Sequence, residues 1–181
     1  TALAGPDYVS TNGFATITAG ATNTTVTVEG CAVRIAGSSP ADAVLDAELV
    51  AGDTADASLV GDLLSRRGID TVLHFAAHTI VPESVSNPLK YYGNNTCNTR
   101  NLLECCQQAG VRHFIFSSTA AVYGIPEGDK AWEDPPLAPI NPYGTSKLMS
   151  EWMLRDLSAA GPMTHVALRY FNVAGSDPQG R

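Results

Sequence analysis

Residues 45–181 predict an α/β fold built on a parallel sheet, and three observations carry that prediction. Four short apolar runs suit strands buried on both faces: ELVAGD (48–53), DTVLHFAA (70–77), HFIFSST (113–119) and THVALRYFNV (164–173). Helical stretches separate them, at 56–67, 88–110 and 142–160, and Gly110 and Gly161 stand where the last two should stop. Strand, helix and strand in repetition means βαβ units with right-handed crossovers and helices on both faces of the sheet.

The elements follow from local chemistry. Residues 1–44 are set apart: they are rich in Thr, Ala, Gly and Val, and Arg34 is their single basic residue. Alternation at 14–18, 24–29 and 32–36, punctuated by Gly and Asn, predicts short strands in a β-rich or poorly ordered segment. The ELVAGD run should then open the parallel sheet. The stretch 56–67 begins at an Asp and carries apolar residues at helical spacing, whereas ESVSNP (83–88) reads as a loop. The stretch 88–110 reads as one continuous helix, and 142–160 opens with Asn-Pro, a favourable entry into a helix.

Composition limits the partners. A net charge of −7 and a pI near 4.9 disfavour a polyanion-binding surface, so nucleic acid is not an expected partner. No window of about eighteen apolar residues suggests a membrane span, and the N-terminus lacks the order of a signal peptide, so a cytoplasmic protein is expected. Cys31, Cys97, Cys105 and Cys106 show neither CxxC spacing nor a His partner at metal-ligand intervals and read as reduced thiols. His74 and His78 would lie roughly 13 Å apart along a strand, too far to share a metal.

Chemistry concentrates in NPYGTSK (141–147). Tyr143 and Lys147 are i and i+4 on a predicted helix and so share one face. A free tyrosine has a pKa near 10, and a lysine cation held beside one favours the phenolate. A decrease of about three units corresponds to about 4 kcal/mol and would give a usable general base or acid. By itself YxxxK is a common pair on a solvated helix face. Its company is more specific: FIFSSTAAVYG (114–124) ends a buried strand in hydroxyls, where open α/β sheets place their ligands.

HFAA (74–77), the Asn94-Asn95 pair, FSSTAAVYG (116–124), NPYGTSK and LRYFNVAG (168–175) occur in the order and at roughly the intervals of the extended short-chain dehydrogenases/reductases. Over about residues 45–181 the chain resembles that family, and within it the UDP-glucose 4-epimerases. The resemblance implies an NAD-binding Rossmann-like sheet and NAD-dependent interconversion of UDP-glucose and UDP-galactose by transient oxidation at the sugar 4-position. It implies a catalytic set of Tyr143, Lys147 and Thr119, with Tyr143 as the base at the 4-hydroxyl and Lys147 holding the nicotinamide ribose. Cofactor contacts are implied for Asp53, Ala76, Ala77, Asn94, Ser117 and Phe171 as well as for Tyr143 and Lys147, and substrate contacts for Thr119 and Asn172. A UDP-sugar is the implied partner, with a homodimer as the possible assembly. Dehydratase relatives carry an Asp-Glu pair directly after the threonine; Ala120 and Ala121 stand here, and neither can move a proton.

Other features depart from the family's pattern. The chain has no GxGxxG, and Gly20, its nearest candidate, precedes Asp53 by only 33 positions. The smaller sugar-binding domain of the family is not found before Arg181, so the sequence reads as an incomplete epimerase-like chain with little turnover by itself. Two alternatives remain: another nucleotide-sugar epimerase, or a non-catalytic module built on a partial Rossmann fold.

Overall fold

The computed structural model describes residues 32–33, 49–125 and 136–172. The strands expected at 14–18 and 24–29 and the candidate turn at Gly20 lie outside the described residues. From the third predicted strand, β1 (Ala32–Val33) is described, and it pairs antiparallel with β2 (Leu49–Val50) in a two-stranded sheet. The expectation that ELVAGD joins the parallel sheet is therefore corrected. Only its Leu and Val have strong strand preference, and the exposed Gly52 and Asp53 that follow end the run before a longer ladder can form.

The main sheet is parallel, in the order β3 (Thr71–His74), β4 (His113–Thr119), β5 (Thr164–Tyr170). Its register places Leu73 beside Ile115 and Ile115 beside Val166, with His74 beside Phe116. Successive side chains point to opposite faces of a strand. Phe114 and Phe116, both essentially buried, therefore share one face, and Ile115 looks out from the other.

Three helices cover the Phe114 and Phe116 face. These are α1 (Ala57–Arg66), α4 (Asn98–Ala109) and α5 (Pro142–Ala160), and their buried Val60, Leu64, Leu102, Leu103, Cys105, Cys106 and Leu154 form one cluster with both phenylalanines. Full burial of a side chain of this size contributes roughly 1.5–3 kcal/mol. On the opposite face Leu73 and Val166 are each 53% exposed, so among the described residues helices cover one face of the sheet rather than the two expected.

The helix boundaries show where sequence signals were sufficient. Asp56 caps α1 by accepting from the Leu59 N–H at 3.0 Å. Gly110 ends α4 in the left-handed region at φ 74°, a conformation that glycine adopts without a Cβ clash. In α5, Asn141 accepts from the Gly144 N–H at 2.8 Å and Pro142 fills the first turn, where a missing N–H costs nothing.

Two expectations between β3 and α4 are corrected. Part of ESVSNP lies in α2 (Val81–Ser86): Pro82 pre-sets its first turn, and the Ser84 and Ser86 hydroxyls donate to the Val81 and Glu83 carbonyls. The predicted helix 88–110 is not continuous, because α3 (Pro88–Tyr91) passes through a π-helical turn (Tyr92–Cys97) before α4 begins. Gly93, Asn94, Asn95 and Thr96 are weak helix formers, and the wider turn carries Asn95 into the interior.

Candidate active site

The carboxyl end of β4 and the start of α5 build the site. Strand β4 ends in Ser117, Ser118 and Thr119, and a 3-10 turn (Ala120–Tyr123) follows, capped by Thr119 Oγ1, which accepts from the Ala121 N–H at 3.2 Å. The first turn of α5 rests on this 3-10 turn. A Cβ at Gly144 would stand 2.7 Å from the Ala121 carbonyl oxygen and 3.0 Å from Pro139 Cβ, so only glycine permits this approach without a shift. The hydroxyl-bearing end of the strand is thereby brought beside the turn that carries Tyr143.

Lys147 is only 2% exposed, and its Nζ is held in place. It donates to the Ser117 carbonyl at 2.7 Å and stands 4.7 Å from the centroid of the Phe116 ring. Burial pushes its pKa down to about 8, and the carboxylate of Glu151, one turn further along α5, opposes that shift. Lys147 is therefore a cation near neutral pH but one close to losing its proton. Tyr143, one turn before it, is half-buried, and its ring meets that of Tyr91 edge-on with centroids 6.5 Å apart. Tyr91 is itself fixed, since its hydroxyl lies 2.6 Å from the Ile80 carbonyl and 2.9 Å from a Glu83 carboxylate oxygen, two acceptors for its one proton.

Beneath the lysine lies a neutral histidine. His74, 5% exposed, stacks on Phe116 at 5.8 Å and bonds Thr99 Oγ1 at 2.9 Å. Burial, reinforced by the Lys147 charge, pushes its pKa down to about 3. His74 is thus uncharged near neutral pH, and the histidine serves as packing.

The remaining sequence candidates are distributed around these groups. Ala76 and Ala77 are half-buried just past β3, and the next residue is clamped: Asn95 accepts from the His78 N–H at 2.8 Å and donates to the His78 carbonyl at 2.9 Å and to Ser146 Oγ at 3.1 Å. Asn94 is half-buried and donates to Asn95 at 3.0 Å. Asp53 is exposed beyond β2 and accepts from the Ala55 N–H at 2.8 Å. Phe171 and Asn172 are exposed beyond β5, with Phe171 at 68%. The structure therefore gathers Ser117, Thr119, Tyr143 and Lys147 at one strand end, Ala76, Ala77 and Asn94 beside the exit from β3, and Asp53, Phe171 and Asn172 at separate strand exits.

Sequence reasoning did not single out Asn95, Tyr91, Glu151 or Arg169. Asn95 had a signal in the Asn-Asn pair, and Glu151 had one in its i+4 spacing from Lys147. Arg169 had none: its bond to Glu151 joins β5 to α5 and depends on the tertiary fold.

The donor set fits a dinucleotide in part. Small side chains at 76 and 77 allow a close backbone approach, and an amine and hydroxyls flank the end of β4. A glycine turn opening a helix, the usual seat for a pyrophosphate, is not among the described residues. Of the glycines with positive φ there, Gly68 and Gly110 follow helices and Gly124 follows the 3-10 turn.

Comparison with known proteins gives a consistent result. A family model described as NAD dependent epimerase/dehydratase family matches residues 17–181, reaching further toward the N-terminus than the resemblance read from the sequence, which begins near residue 45. A UDP-glucose 4-epimerase from Azospirillum brasilense is 55% identical over 133 residues, which are 74% of this chain and 38% of that protein. The structure of a UDP-Glc/GlcNAc 4-epimerase from Campylobacter jejuni aligns with a TM-score of 0.64 at 57% identity, covering 66% of this chain and 36% of that one. UDP-glucose 4-epimerase from Brucella ovis in complex with NAD aligns with a TM-score of 0.69 at 42% identity, covering 72% and 40%. The chain thus spans about 40% of the length of the curated relatives it matches.

Proposed function

The chain belongs to the NAD-dependent epimerase/dehydratase family, and from that premise we propose that it carries the proton-transfer half of a UDP-glucose 4-epimerase site. The observation that carries this reading is the buried Lys147 amine, tied to Ser117 at the end of β4 one helical turn from Tyr143.

In the proposed reaction Lys147, Tyr143, Ser117, Asn94, Phe171, Ala76, Ala77 and Asp53 would hold NAD, which when bound would supply reversible hydride transfer with no net change over a full cycle. Tyr143 removes the proton from the sugar 4-hydroxyl and returns it. The Lys147 cation favours the deprotonated form of its neighbour, and its bond to Ser117 fixes the distance over which it acts. Thr119 offers a hydroxyl proton to the reacting oxygen, and Asn172 offers an amide to the sugar. Ala120 and Ala121 have no group to expel a hydroxyl, which favours epimerisation over dehydration. A cytoplasmic location and a homodimer belong to the same proposal, with exposed Met149 and Trp152 on α5 as apolar surface that pairing would cover.

The test is to incubate the purified protein with UDP-galactose and NAD and follow UDP-glucose. Conversion to UDP-glucose that depends on added NAD is expected. Tyr143→Phe, which keeps the ring and removes the hydroxyl, should show none. Conversion that persists in Tyr143→Phe overturns the proposal.

A further inference from the structure

Behind Lys147 lies a charged cluster that the proposed chemistry does not use. Glu151 is 6% exposed on α5 and accepts hydrogen bonds from two neighbouring strands. The Ser118 hydroxyl of β4 donates to its Oε1. Arg169 of β5 donates through Nε at 3.1 Å to Oε1 and through Nη2 at 2.8 Å to Oε2. The same guanidinium lies over the Tyr123 ring at 5.0 Å and donates to the Tyr123 hydroxyl at 3.2 Å. One carboxylate therefore joins α5, β4, β5 and the 3-10 turn.

Its placement is specific to the site. Ser118 sits between Ser117, whose carbonyl receives the Lys147 amine, and Thr119, the hydroxyl nearest the proposed chemistry. Glu151 is i+4 from Lys147, which is i+4 from Tyr143, so the three form one row along α5. We infer that Glu151 is a positioning residue for Tyr143 and Lys147: it fixes the register of α5 against the end of β4 and keeps a negative charge one helical turn from Lys147. Buried ion pairs often serve packing alone, and replacing them with apolar groups can be neutral. This pair differs because its carboxylate lies one helical turn along α5 from a buried amine whose contacts are a carbonyl and an aromatic ring. The consequence for catalysis rests on the epimerase reading; the measurement does not.

The charged groups around Lys147 are Glu151 on its own helix, His74 on β3, which is neutral, and Arg169 on β5, which is held by Glu151. The chain has three lysines, Lys90, Lys130 and Lys147, so side-chain labelling gives three NMR signals, and Lys147→Arg assigns the relevant one. In folded Glu151→Gln, Lys147 should titrate about one pH unit lower than in the wild type, because a nearby opposite charge is lost. Glu151→Asp should restore most of the difference. If Arg169, left without its partner, prevents Glu151→Gln from folding, Arg169→Met is the second variant: it keeps the Glu151 carboxylate and removes the cation that balances it, so the Lys147 midpoint should move upward. An unchanged Lys147 midpoint in either folded variant overturns the inference. Failure of the epimerase reading would appear separately, as absence of UDP-sugar conversion in a protein that still shows the titration shift.

Discussion

Gly144→Ala tests the contact that brings the first turn of α5 against the end of β4. In most helix interiors this exchange is favourable, because alanine exceeds glycine by roughly 0.5–1 kcal/mol in helix propensity. Here the added Cβ meets the Ala121 carbonyl oxygen at 2.7 Å and Pro139 Cβ at 3.0 Å. The first of these is backbone of a turn anchored by Thr119, so relief requires a segment to move rather than a side chain to rotate. Overpacking of this kind costs typically 1–3 kcal/mol, which exceeds the propensity gain. A net loss of about 1 kcal/mol is expected and should lower Tm by roughly 2–4 °C in a domain of this size. Gly61→Ala is the control: it lies within α1, and nothing stands within 4 Å of its added Cβ. That variant should gain roughly 0.5–1 kcal/mol. Urea and thermal unfolding of both proteins would measure the pair. If Gly144→Ala is as stabilising as Gly61→Ala, the close approach of α5 to the 3-10 turn is misplaced.

Two further predictions concern pH. The folded-state pKa of Lys147, about 8, lies below its ordinary value of 10.5, so the folded state binds fewer protons between those limits and wild-type stability should rise with pH across that window. The cost of burying the cation is fully present below about pH 8. Relative to Lys147→Met, the wild type should gain on the order of 3 kcal/mol by pH 10.5, while its NAD affinity should fall as the amine loses its charge; parallel pH dependences in the two proteins would contradict this. The pKa of His74, about 3 against 6.5, also lies below its ordinary value, so its contribution is present above pH 6.5 and is lost as pH falls toward 3. His74→Gln should unfold in acid with a shallower pH dependence than the wild type, as measured by circular dichroism; an identical acid transition would count against a neutral buried imidazole.

Much of the fold was legible because local signals and tertiary demands agreed. The stretch at 142–160 carries an N-cap, a proline at the first turn and a glycine stop, and the structure places α5 at those residues. Three of the four apolar runs form the parallel sheet, since their Val, Ile and Phe content suits strands in an interior. The π-helical turn was not legible: hydrophobic spacing through 88–110 fits one helix, and the widening depends on Asn95 reaching His78 across seventeen positions of sequence. For the site, YxxxK and the serine-threonine strand end were the legible signals, and the structure joins the two motifs through the Lys147 amine and the Ser117 carbonyl. The Glu151 and Arg169 pair escaped notice because a charged residue on a helix ordinarily faces water, and only the crossing of β5 beneath α5 makes this one an interior bond.

The central proposal is that the buried Lys147 of this chain serves a bound NAD. It is tested most directly by nucleotide binding. Protein stripped of nucleotide would be titrated with NAD by calorimetry, alongside Lys147→Met, which removes the amine while keeping an unbranched side chain of similar length. Nucleotide released on denaturing the protein as purified would be read by absorbance. Saturable NAD binding that weakens at least about tenfold in the variant, a loss of roughly 1.4 kcal/mol, is the predicted result. No binding, or equal binding by both proteins, would contradict the account.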